Sequence, residues 1–234
     1  MQIGYSWNKA LILFAVCMGL LAPSLYADCM GKFEIAPAFV HIDVLEKRNT
    51  VKKINMGAFR TEGNFMIGKN TGWVLKPMAL YGKGDDGELT TASLGIGRCI
   101  PVGERFVFTP SLGATYTSLN TSFKFEHEII GAIRVRESFH SISPYIGLEV
   151  NYRIRPNLRI GGSVQYAWSR SKTTLKHLFH VKGHSKGPNL SSLLEYDFNQ
   201  YWSVNVGAAY NESLSHEKDG LRGYGAKLGI VRWF

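Results

Sequence analysis

The chain has 234 residues, of which 45% are apolar, 12% aromatic and 19% charged, with a formal charge of +9, 25 glycines and three cysteines. This composition excludes a disordered chain, which is poor in aromatics and rich in charge, and a disulfide-dense scaffold. No run reaches the roughly 18–20 apolar residues that a spanning helix needs, so a helical membrane protein is excluded too.

Residues 1–27 read as a unit. Lys9 is the only charged residue in it, Ala10 to Ala22 carries no charge, Pro23 and Ser24 break the run, and Ala27 supplies a small residue at the end. A basic start, a short apolar stretch and a small-residue exit describe a secretory signal peptide, cleaved after Ala27. That leaves 28–234 as one domain. Asp28, which is not small, precedes Cys29 and speaks against a lipidated N-terminus. Export permits a bridge between Cys29 and Cys99; two free thiols fit the sequence equally well.

From residue 33 onward the dominant period is two. Alternation places one class of side chain on each face of a strand. Ten strands are predicted, at 33–44, 52–67, 72–82, 89–100, 105–118, 139–154, 157–171, 188–198, 201–212 and 222–234, with eight as the alternative count. In the stretch 106–117, Phe106, Phe108, Leu112, Ala114 and Tyr116 oppose Thr109, Ser111, Gly113, Thr115 and Thr117. In 158–169, Leu158, Ile160, Val164, Tyr166 and Trp168 oppose Arg159, Gly161, Ser163, Gln165, Ala167 and Ser169. Residues 54–67 lose the pattern around Arg60 to Gly63, where a β-bulge is expected. Four short turns, at 68–71, 101–104, 155–157 and 199–200, alternate with long loops near 119–138, 172–187 and 213–221.

A soluble sandwich also alternates, but buries its apolar face under a second sheet. A membrane barrel turns that face to lipid and the other to its interior. Three features favour the barrel. The non-apolar faces are rich in Gly, Ala and Ser. Aromatic residues gather at strand ends, among them Trp73, Tyr81, Trp168, Trp202, Tyr210 and Phe234. Short turns alternate with long loops, the asymmetry of outer-membrane barrels. The expected fold is therefore all-β: a closed, antiparallel, up-and-down transmembrane barrel.

On these residues the chain resembles the small bacterial outer-membrane β-barrel proteins, over about 33–234. Its end, Gly225-Ala-Lys-Leu-Gly-Ile-Val-Arg-Trp-Phe234, resembles the C-terminal signature that the family's assembly machinery reads, carried here by Tyr224, Leu228, Ile230 and Phe234. Arg232 departs from that signature in a slot usually apolar or aromatic. The resemblance implies a location in the bacterial outer membrane. It also implies contact with outer-membrane lipid and lipopolysaccharide, and a host or surface ligand at the outer loops. It specifies architecture better than activity.

Glu149, Arg153, Arg159, Glu195, Asp197 and Lys227 fall on the inward faces. Unpaired charges in a narrow lumen cost several kcal/mol each, so a paired, plugged interior is expected. The loop at 172–187 and its flank hold Arg170, Lys172, Lys176, Lys182 and Lys186, with no acidic residue from 170 to 187. Such a cluster attracts lipid phosphates or anionic polymers. Nucleic acid is a poor partner for an exported chain of this pattern. His177, His180 and His184 have no Cys or carboxylate beside them and read as solvated rather than metal-binding. Asp85-Asp86 reads as a turn, and Ser215-His216 as loop residues, rather than as parts of a protease or a lipid A deacylase. No catalytic residue, cofactor or metal is expected. The reading is a non-enzymatic outer-membrane barrel serving envelope structure, surface attachment or slow small-solute passage. A membrane-embedded hydrolase of lipid A or surface peptides, and an exported soluble β-barrel that binds a ligand, are the alternatives.

Overall fold

The computed structural model describes residues 29–68, 71–84, 86–127, 131–175 and 179–234; the segment 1–27, Asp85 and Lys176 lie outside them. Eleven strands occur in chain order: β1 Lys32–Glu46, β2 Asn49–Met66, β3 Trp73–Lys83, β4 Gly87–Arg98, β5 Ile100–Val102, β6 Phe106–His127, β7 Gly131–Arg155, β8 Leu158–Leu175, β9 Phe179–Asp197, β10 Trp202–Leu214 and β11 Gly220–Trp233. All are antiparallel to their neighbours. Two pairings make the sheet a single closed ring. β1 pairs with β11 from Lys32↔Trp233 to Leu45↔Gly220, and β4 pairs with β6 from Gly87↔Thr121 to Gly97↔Ser111. The three-residue β5 pairs only with the start of β6. The barrel proper therefore has ten strands, which settles the count against eight.

Closure matters because an open edge presents unpaired backbone groups, which lipid cannot satisfy. The outside is apolar: Leu112 and Val164 are each 60% exposed, and Ile142 and Leu228 are 59% exposed. No second layer of protein covers them, so the sandwich reading fails. Aromatic side chains ring this belt. Trp73, Phe106, Tyr152, Trp202 and Phe234 mark the end where β1 begins and β11 ends, hereafter the lower end. Tyr81, Tyr116, Trp168, Tyr210 and Tyr224 mark the upper end. Eight to ten residues separate the two rings on a strand; at ~3.4 Å per residue and a tilt of ~40° this spans ~21–26 Å. That matches the ~25 Å apolar band of a transmembrane barrel.

The structure revises the loops. Backbone pairing on β6–β7 continues to His127↔Gly131, and on β8–β9 to Leu175↔Phe179. The segments 119–138 and 172–187 are thus largely strand, not loop. Among the described residues the β4–β6 ladder ends at Gly87↔Thr121, with one further bond from Ser122 N–H to Asp86 O, and the β9–β10 ladder ends at Leu214↔Lys186, so β6 to β9 rise as a four-stranded wall above one side of the barrel. On the described part of β9 there, the adjacent Val181 and Lys182, which face opposite ways, are both exposed, and a two-residue period in polarity needs two different environments. Of the three expected long loops, the last is the turn Ser215–Asp219, closed by Ser215 N–H donating to Asp219 O (2.8 Å).

The expected bulge at Arg60–Gly63 is absent. β1 and β2 stay in register from Lys32↔Asn64 to Val44↔Lys52 and shift only at Val44/Leu45. The polarity pattern fails at 60–63 for another reason: the inward slots hold Arg60 and Glu62, and the outward ones Thr61 and Gly63. The Phe65 ring lies over Gly63, where an added Cβ would sit 2.3 Å from Cε2. The Phe234 ring covers Gly31 in the same way, at 2.5 Å, and the two rings lie 5.7 Å apart. Glycine at these positions lets aromatic rings seal the lower end of the closure seam.

Cys29 and Cys99 form a disulfide with Cα atoms 6.1 Å apart. Cys99 follows β4, and β3 and β2 separate β4 from β1. The bridge therefore runs as a chord across the lower mouth.

Candidate functional site

The lower lumen is a floor of charged side chains. Alternation brings Glu34 from β1, Arg60 and Glu62 from β2, Lys76 from β3, Glu149 from β7, Arg159 from β8, Glu195 and Asp197 from β9 and Lys227 from β11 inward. Lys76 pairs with Glu149 across the lumen, past β4 and β6. Asn151 Nδ2 donates to the other Glu149 oxygen (3.0 Å). Lys227 pairs with Glu34 and lies 4.0 Å from Glu62, which in turn holds Arg60 (2.6 Å). Arg159 bridges Glu195 (2.9 Å) and Asp197. Its guanidinium stacks on Trp233, 4.1 Å from the ring centroid.

Neutral groups complete the floor. Trp233 Nε1 donates to Ser203 Oγ (2.9 Å), Ser203 donates to Glu195 (2.9 Å), and Asn205 donates to Glu34 (2.8 Å). Of the six inward charges named from sequence, Glu149, Arg159, Glu195, Asp197 and Lys227 stand in these ion pairs. Arg153 lines a cavity beside them. Sequence reasoning missed Glu34, Arg60, Glu62 and Lys76. They sit on strands whose outward slots hold Pro37, Pro77, Thr61 or Gly63, so contrast between the faces was weak. A strict parity count from Phe33 and from Trp73 would have found Glu34 and Lys76.

The upper lumen is different. Ile42, Ile54, Met56, Leu89 and Leu119 are buried together, with Val40, Leu80 and Phe139 packed on them. This apolar cluster fills the β1–β6 side of the interior, where the composition of the inner faces had suggested only small and polar groups. The opposite wall carries hydroxyl pairs, Ser143–Ser169 (2.6 Å), Ser163–Ser191 (2.7 Å) and Ser185–Ser213 (2.8 Å).

On the outer surface, just above Tyr166 and Trp168, lies a cationic face. Arg170 is paired across strands with His184, Lys172 with Lys182, and Trp168 with Lys186. These side chains stand on a regular sheet, not on the loop expected from sequence. Arg170, Lys172, Lys182 and His184, with Tyr116, His140 and Ile142, border a depression of about 340 Å³. His140 accepts or donates at both ring nitrogens, toward Tyr116 Oη (3.0 Å) and Ser138 Oγ (3.0 Å). Ser138 donates its hydroxyl hydrogen to Asn120 (2.7 Å), so that hydrogen is not held by His140 as a catalytic base would hold it. A ladder on the far side, Lys53–Asp43–Arg222–Glu212, alternates in charge across four strands. There the Tyr210 hydroxyl, donating to Glu212, and the nearby Arg222 hold the Glu212 carboxyl below the usual carboxylate range.

The remaining named residues do not converge. His177 lies outside the described residues, as does Asp85. Asp86 offers its backbone carbonyl to Ser122 N–H (3.2 Å). Ser215 and His216 sit in the β10–β11 turn, where Ser215 Oγ accepts from Asp219 N–H (3.2 Å). The Asp219 carboxylate accepts from Lys47 N–H (2.7 Å). Among the described residues no three His, Cys, Asp or Glu side chains are grouped to hold a metal. Tyr224, Leu228 and Ile230 point outward on β11, and Phe234, just past its end, is exposed as well. Arg232 also points outward, stacked on Tyr201 (4.8 Å) and Trp202 (5.1 Å) in the lower aromatic ring.

This geometry is the bacterial outer-membrane β-barrel fold. The chain is similar to the outer membrane protease OmpT from Escherichia coli, with a TM-score of 0.56 and 14% identity over 92% of this chain and 100% of that one. It is also similar to the translocator domain of the autotransporter NalP from Neisseria meningitidis, with a TM-score of 0.52 and 11% identity over 98% of this chain and 96% of that one. No family model matches the sequence, and no curated protein matches it. One neighbour is a protease and the other a translocator domain, so the likeness fixes the fold and leaves the role to the chain's own residues.

Proposed function

We propose that this chain is a non-enzymatic integral protein of the bacterial outer membrane, exported with residues 1–27 removed. In this reading it is closed to ions and acts at the cell surface through the β6–β9 wall. The observation that carries the reading is the blocked lumen. Ion pairs close its lower part, one of them the transverse Lys76–Glu149 pair, and the apolar cluster around Ile54 and Met56 fills much of its upper part. Solute passage would require these pairs to break at a cost of several kcal/mol each, which favours envelope structure and surface attachment over transport. Purified protein in planar bilayers is expected to give no stable open-channel current. Large, long-lived conductance steps would overturn the closed-barrel reading.

The cationic face supports a partner as well. Arg170 stands one step above the aromatic ring and the Lys172–Lys182 pair two steps above it, at the depth of outer-leaflet headgroups, where a depression lined by cations suits the phosphates of lipopolysaccharide. Replacing all three by Gln is expected to reduce co-purifying lipopolysaccharide by about tenfold; unchanged recovery would refute the assignment. The outward row Tyr224, Leu228, Ile230 and Phe234 is the segment offered to the barrel-assembly machinery.

A further inference from the structure

The lower mouth contains a second feature that the surface reading leaves unused. Beneath the Cys29–Cys99 chord lies a cavity of about 70 Å³. One water needs roughly 10–15 Å³ measured in this way, so the space suits a few waters or one small tetrahedral ion. Its wall carries Lys32 and Arg105 beside Arg153 and Arg159, with the carboxylates Glu149 and Glu195; Arg159 is already paired with Glu195 and Asp197. Both carboxylates are already engaged, Glu149 by Lys76 and Asn151 and Glu195 by Arg159 and Ser203. Lys32 leans over the Trp233 ring (5.4 Å); Glu62 and Glu149 lie within reach of its charge, but among the described residues no carboxylate makes a close ion pair with it.

Two lining residues, moreover, hold buried polar atoms without a hydrogen-bond partner. Arg159 Nε is a donor, and Asn64 Oδ1 is an acceptor. A buried orphan of either kind costs about 1–3 kcal/mol. One occupant satisfies both only if it can accept a hydrogen bond and donate one, as a water or a hydrogen phosphate can and sulfate cannot.

We propose that this cavity binds a single hydrogen phosphate ion from the lower, periplasmic end. Its oxygens accept from Arg159 Nε and balance Lys32 and Arg105. Its one O–H donates to Asn64 Oδ1. The disulfide fixes the wall residues Cys29 and Cys99, so that little reorganisation is needed on binding. Sulfate, equal in size and charge, has no hydrogen to donate near neutral pH and leaves Asn64 Oδ1 unpaired, so the site discriminates between the two ions.

The test uses the whole folded barrel in a non-ionic detergent, with folding checked by heat-modifiable gel mobility. Inorganic phosphate, sulfate and glycerol phosphate are titrated calorimetrically near pH 7. Phosphate is expected to bind saturably, at about 1 mM or tighter, and sulfate at least about tenfold more weakly. Glycerol phosphate is expected to bind more weakly as well, since the cavity has no room for the ester. Asn64→Leu should bring the phosphate-to-sulfate ratio toward one, and Lys32→Gln should weaken both ions about equally. Absence of saturable phosphate binding would mean that the cavity holds water only and would overturn the proposal. Equal binding of phosphate and sulfate, or a ratio unmoved by Asn64→Leu, would overturn the donor–acceptor assignment. None of these results bears on whether the barrel conducts, which the bilayer experiment decides separately.

Discussion

Consider Lys76→Met. Lys76 and Glu149 face each other across the lumen with side chains only 10% and 17% exposed. Removing the ammonium leaves the Glu149 carboxylate in a partly dry interior, with Asn151 as its remaining hydrogen-bond donor. Breaking a buried pair by deleting one partner typically costs ~3–5 kcal/mol, whereas replacing both members by well-packed apolar groups is often neutral. Lys76→Met and Glu149→Leu should therefore each destabilise the barrel by about 3 kcal/mol, while the double variant should lose far less than the sum. The coupling energy should be at least ~2 kcal/mol. Urea titration of the barrel in lipid vesicles, followed by tryptophan fluorescence, reads this as a fall of ~1–3 M in midpoint for each single variant. The double variant should recover most of that fall. Additive losses, or single variants that unfold within ~0.5 kcal/mol of the wild type, would refute the view that the floor is held by mutually dependent charges.

Other outcomes follow from the same geometry. Leu112→Arg, at mid-belt on β6, should cost ~2–4 kcal/mol in vesicles; a neutral result in the same titration would remove Leu112 from the lipid face. Phe234→Ala uncovers Gly31 and frees Phe65 at the closure seam, and should slow barrel closure, seen as a smaller heat-modifiable fraction at fixed refolding time. Tyr210→Phe removes the hydroxyl that donates to Glu212, and the Glu212 pKa should rise toward its ordinary value in an NMR titration. Because that pKa is depressed in the fold, its stabilising contribution is present above the unfolded-state value and is lost as pH falls through the folded one. The variant should accordingly lose less stability than the wild type on acidification through that range.

Much of the architecture was legible in the residues because lipid and lumen are different solvents. That difference imposes a two-residue period on each strand between its aromatic ends, and rows such as Leu112 against Gly113 or Val164 against Gln165 record it. Parity alone then placed Glu149, Arg159, Glu195, Asp197 and Lys227 inward. Where the two faces meet similar surroundings, the sequence carries no such record. The wall formed by β6 to β9 above Thr121 and Lys186 is strand because its backbone pairs, and pairing depends on partners far along the chain. The same holds for the partners of the inward charges. Lys76 reaches Glu149, 73 residues away, only because β4 pairs with β6 and leaves just these two strands between β3 and β7 around a narrow lumen. Cys29 and Cys99 could be a bridge or two thiols until the fold brought their Cα atoms within 6.1 Å. The orphaned atoms of Asn64 and Arg159 have no sequence signature at all, because an unsatisfied group exists only once neighbours have excluded water from it.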